Sequence, residues 1–133
     1  MKRALIAATA YFLALFALGF ALGTMRVLFA APRIGPLGAT LLEVPVMLAA
    51  AFFACRWTVG RWQVPTALAV RGAMALWFLV LLALLETLVG IVLFGQTLAG
   101  TWVGLATPAG QFGVSAQIIT AVLPLVVGRN ERR

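Results

Sequence analysis

The chain has 133 residues, 64% of them hydrophobic and 10% charged, with a mean hydropathy of +1.11 and a net charge of +7. Soluble domains carry about 45–50% apolar and about 25% charged residues, so an ordinary soluble fold is excluded. The basic residues gather at the ends of apolar runs, where topology and anionic lipid account for them and nucleic acid does not.

Lys2 and Arg3 precede the first apolar run, Ala4 to about Ala30. A basic start before an apolar run also describes a signal peptide, but Ala4 to Met25 is 22 residues without a charge, against about 7–15 for a signal h-region. The run therefore reads as a first membrane span. Ala31 to Gly38 holds two prolines and two glycines and reads as a tight loop between antiparallel helices.

The second span covers about 39–56. Starting it at Pro45 would leave a helix rising only about 20 Å against a hydrocarbon core of about 30 Å, so Pro45 belongs inside the helix. There it removes one backbone bond, frees the Leu41 carbonyl and predicts a kink. An Arg-Trp pair then occurs twice, Arg56-Trp57 and Arg61-Trp62, the composition that a headgroup interface selects. The third span covers about 66–94, with Arg71 in its first turns, from where it is expected to snorkel to the interface.

Gly95 to Thr107 is a weakly polar connection, placed in or along the membrane surface. Thr107-Pro108 reads as an N-cap followed by proline at the first helical position. It opens the last span, about 108–127, in which Pro124 should bend the helix. The expected fold is thus all-α, a single transmembrane domain over residues 1–133, with four transmembrane helices in an antiparallel bundle.

Four spans place the amino terminus, the second loop and the tail on one side. That side holds Lys2, Arg3, Arg56, Arg61, Arg71, Arg129, Arg132 and Arg133, whereas the other holds Arg26 and Arg33. The positive-inside rule makes the first side cytoplasmic, so both termini are expected inside, in a bacterial inner membrane.

Arg26, Glu43 and Glu86 interrupt apolar runs, where an ionised side chain costs about 2.5–3.5 kcal/mol at the centre of a span. Arg26 and Glu43 lie at equal sequence distance from the middle of the first loop, and Glu86 stands shortly before the outer end of the third span. All three are therefore expected at one level in the outer half of the membrane. Gln96, Gln111 and Gln117 are candidate polar neighbours. Because one arginine cannot neutralise two carboxylates, either Arg33 reaches in from the loop or one glutamate keeps its proton.

A bland reading stands beside the functional one. Thr40-Leu41-Leu42-Glu43 fits a capping box, Glu86 can bond to a neighbouring helix, and Arg26 can reach headgroups through its stem. Gly19 with Gly23, and Gly100 with Gly104, match the small-xxx-small pattern of close helix approach and mildly favour dimerisation.

Catalytic constellations are missing. The chain has no histidine, no aspartate, Lys2 as its one lysine, no nucleophile elbow and no phosphate loop. One cysteine, Cys55, leaves no intramolecular disulfide and no Cys/His metal set, so no metal or cofactor is expected. In size and span count the chain is similar to small multidrug-resistance transporters. That family carries its glutamate in the first span, which holds none here, so the likeness covers architecture and transfers no residue.

The leading expectation is a non-enzymatic accessory or assembly component with a buried Arg/Glu cluster. A dimeric ion-coupled transporter using Glu43 or Glu86 is the alternative, and a lipid-modifying enzyme the third. The expected partners are the bilayer, anionic lipid at Arg56, Trp57, Arg61 and Trp62, and a second copy or another membrane protein.

Overall fold

Helical geometry begins at Lys2 and dominates the computed structural model, which describes residues 1–128; among these there is no strand. The helices are α1 (Lys2–Met25), α2 (Ala31–Arg61), α3 (Leu68–Phe94), α4 (Leu98–Leu105) and α5 (Pro108–Val126), with a π-helical turn, Arg26–Ala30, joining α1 to α2. Three continuous stretches are long and apolar enough to cross a membrane: Lys2–Arg61, Leu68–Phe94 and Pro108–Val126.

The first of these, 60 residues long, folds back on itself. Its one non-helical residue is Gly35, with φ 82° and ψ 163°, a conformation open to glycine and costly for residues with a Cβ. Pro36 follows and reopens the helix. The expected loop over residues 31–38 is thereby compressed to the Gly35-Pro36 step, because the π turn carries the helix past Arg26, with the Ala31 N–H donating to the Arg26 carbonyl. Pro45 does lie inside α2, and backbone angles remain helical through it, so the local break falls at Gly35.

Contacts across the hairpin are antiparallel: Gly19 faces Met47 and Arg26 reaches Thr40. Farther along, Tyr11 and Phe12 pack on Phe78 with ring centroids 5.0 and 5.9 Å apart. Glu86 pairs with Gln117, and Arg71 with Pro124. The four long helices thus run up, down, up and down, and α1, α2, α5 and α3 close a ring in which each packs on two neighbours.

Packing is uneven along this ring. The buried core, including Ala7, Tyr11, Phe12, Cys55, Met74 and Val127, occupies the half that holds the amino terminus and the second loop. Small residues such as Ala4, Ala7, Ala8 and Ala51 are fully buried there and let the backbones approach. The opposite half does not close.

Two prolines illustrate how the backbone is satisfied. Pro124 lacks an N–H, so the carbonyl of Thr120, four residues earlier, has no helical donor. The Tyr11 hydroxyl donates to it at 2.8 Å, reaching across the ring from α1 to α5. Thr107 caps α5 as expected, accepting from the Gly110 N–H at 3.1 Å with Pro108 at the first position. Thr97 does the same for α4 through Gly100, and α3 ends on Gly95 in the left-handed region at φ 61°.

Arg71 does not snorkel outward. It is 2% exposed, and its guanidinium donates to the carbonyls of Val64, Pro65, Pro124 and Val127. The turn after α2 and the end of α5 provide these acceptors, and only a planar fork with five donors reaches them together. Arg129, Arg132 and Arg133 of the basic tail lie outside the described residues.

Candidate functional site: a largely apolar cavity in the open half

The half of the ring away from the core forms a partly open cavity of about 810 Å³. Arg26, Glu43 and Glu86 all line it, with Gln96 and Gln117. The fold thus brings the three side chains to one cavity wall. Most of the remaining wall is apolar, and six aromatic side chains belong to it: Phe12, Phe16, Phe20, Phe78, Phe94 and Trp102.

The ionisable groups divide into two unlike pairs. Arg26 Nε lies 3.1 Å from Glu43 Oε2, and its Nη1 donates to Thr40 Oγ1 at 3.2 Å. Thr40 in turn donates to the Pro36 carbonyl at 2.9 Å, so one hydroxyl serves as acceptor and donor. The arrangement ties the end of α1 to the first turns of α2. It also replaces the expected capping box: the helix has already begun at Pro36, so Thr40 is an interior residue and Glu43 meets the arginine.

Glu86 belongs to the other pair. Its Oε1 accepts from Gln117 Nε2 at 2.6 Å, and Gln117 is its one hydrogen-bond partner among the described residues. Glu86 is exposed as a residue and lines the cavity. The direct partners of Arg26 are Glu43 and Thr40, so Glu86 shares its field without an ion pair.

The other candidates separate. Gln96 folds back over Gly90, its backbone N–H donating to the Gly90 carbonyl at 2.9 Å, and its side chain lines the cavity. Gln111 is exposed and donates to the Ala106 carbonyl at 3.4 Å, away from the cavity wall. Arg33 is exposed beyond the π turn and does not reach in. Among the described residues, no group of acidic, cysteine or histidine side chains could hold a metal ion.

The chain matches no protein-family model, no curated protein and no solved structure.

Two features escaped sequence reasoning. The weakly polar connection contains a helix, α4, whose Leu98, Thr101, Trp102 and Leu105 form part of the cavity wall. The glycine pairs differ: Gly19 and Gly23 line the cavity, whereas Gly100 and Gly104 are exposed, and the close approach there is to Gly110, where a Cβ would overlap the Gly104 carbonyl. The signal that could have revealed α4 was Thr97 at N-cap spacing from Gly100, as at Thr107 and Gly110.

Proposed function

We propose that the chain is a non-enzymatic, four-span protein of a bacterial inner membrane, with both termini cytoplasmic, which holds an amphipathic membrane molecule in its cavity. Four helix runs supply the spans, the folded-back first stretch contributing two. The observation that carries the binding reading is the division of the cavity wall. Its charged and amide groups are Arg26, Glu43, Glu86, Gln96 and Gln117, and aromatic and aliphatic side chains make most of the rest.

A cluster serving only as glue would favour helices closed upon it, as they close on Arg71. Here about 810 Å³ is left between them, within the range of about 300–1,000 Å³ typical of small-molecule sites. Apolar walls at membrane depth favour an occupant drawn from the bilayer, and the outward-facing Phe53, Leu84, Leu88 and Val92 suit a lipid surround. An accessory role, presenting or retaining a lipid for a membrane assembly, follows from binding without catalytic groups.

Gly113 lines the cavity, and a Cβ there meets nothing within 4 Å. Gly113→Trp should therefore enter the cavity without disturbing the helix. Native mass spectrometry of protein released from mild detergent should find bound lipid on the wild type and at least about fivefold less on this variant at equal helicity. Equal lipid on both would sink the proposal. The alternative of a dimeric ion-coupled transporter draws on the same carboxylate of Glu86, and differs in requiring proton-coupled uptake in proteoliposomes.

A further inference from the structure

The balance of charge in the cavity narrows the occupant. Among the described residues, three ionisable side chains line it. Arg26 is engaged with Glu43 at 3.1 Å and with Thr40 at 3.2 Å. Glu86 is held by the neutral amide of Gln117 and lines the cavity. The wall therefore offers one carboxylate that no cation pairs directly, and the same wall holds aromatic rings, whose quadrupoles attract cations.

We infer that the cavity selects lipids with a primary ammonium headgroup, the ammonium meeting Glu86 and the acyl chains lying along the apolar wall. The inference rests on the amphiphile-binding reading above and names its headgroup chemistry. With Arg33 outside the cavity and Arg26 paired to Glu43, the Glu86 carboxyl gains a counter-cation only when the ammonium arrives, which lets it release its proton to water. The hydrogen bond between the ionised partners is then about twice as strong as a neutral one. An anionic headgroup in the same place would meet Glu86 and Glu43 unfavourably, and the cation that could receive it, Arg26, already holds a carboxylate. Gln117 orients one carboxylate oxygen and leaves the other for the ligand. Phe20, Phe94 and Trp102 belong to the same wall and suit a desolvated cation.

The test compares dioleoyl phosphatidylethanolamine, dioleoyl phosphatidylglycerol and free ethanolamine, each added to delipidated protein in detergent and counted by native mass spectrometry. Basic residues at the cytoplasmic face can retain anionic lipid, so cavity binding is taken as the difference between wild type and Gly113→Trp. By that measure phosphatidylethanolamine should bind about tenfold more tightly than phosphatidylglycerol, and free ethanolamine should not compete. Glu86→Gln should abolish the preference. Trp102→Leu, at a position 72% exposed and outside the core, should weaken phosphatidylethanolamine alone.

Equal cavity binding of the two lipids in the wild type overturns the ammonium inference and leaves the amphiphile reading standing. Cavity binding of neither overturns both. Competition by free ethanolamine overturns the assignment to a lipid. The wild-type comparison needs no variant of Glu86, so it holds even where Glu86→Gln fails to accumulate.

Discussion

The Tyr11 hydroxyl carries a defined burden. It supplies the donor that Pro124 withholds from the Thr120 carbonyl, at 2.8 Å and fully buried. Tyr11→Phe should therefore lower stability in micelles by about 1–3 kcal/mol, the cost of an unsatisfied buried acceptor. Pro124→Ala returns an N–H to the helix, so in that background Tyr11→Phe should cost about 1 kcal/mol less. A double-mutant cycle on thermal or denaturant unfolding measures this coupling, and a value near zero would show that the two residues act separately. Arg71 works on the same principle with four carbonyls. Both residues lie in the packed half, where polar groups are satisfied by backbone. In the open half, Glu86 and Gln117 satisfy one another through side chains and stay accessible.

At the scale of elements, two short features shape the cavity. The π turn Arg26–Ala30 extends the first helix beyond Met25 and begins at the arginine that pairs with Glu43; such turns are frequent at functional sites. Helix α4, capped by Thr97, forms part of the wall and approaches α5 through Gly104 and Gly110. Gly110→Val places side-chain atoms where the Gly104 carbonyl now lies, so α4 must shift away from α5. Lipid binding in the cavity should fall several-fold with helicity unchanged, and limited proteolysis between residues 95 and 107 should accelerate. Unchanged binding together with unchanged proteolysis would show that α4 does not depend on this crossing.

At the scale of the whole molecule, the ring is packed at one end and open at the other, and the charges follow that division. Arg56, Trp57, Arg61 and Trp62 cluster at the packed end; the two tryptophan rings meet edge-on at 5.7 Å, and the Arg61 guanidinium lies 5.8 Å from the Trp62 ring. This belt suits anionic headgroups and, with Lys2 and Arg3, supports the proposed cytoplasmic assignment. A reporter fused after Arg133 should report cytoplasm, and one inserted near Gly100 should report the opposite side. The reverse pattern would move the cavity to the cytoplasmic leaflet, and equal signals from both sites would contradict the four-span reading.

The helical class, the interior place of Pro45 and the cap at Thr107 were legible in the chain, and counting along it also drew attention to Arg26, Glu43 and Glu86, which line one cavity. Each depends on local chemistry or on counting along it: apolar length, a hydroxyl before proline, residues to a turn. Tertiary structure alone decided the partners. Thr40 looked like a cap because sequence cannot show that helical geometry resumes at Pro36. Arg71 looked like a snorkelling residue because its acceptors come from the turn after α2 and the end of α5, more than fifty residues apart in the chain. Sequence places three charges at one level, but whether the helices close on them or leave a cavity depends on how side chains from four helices fill a shared volume. Here small residues draw one half together, and the other half stays open around Glu86.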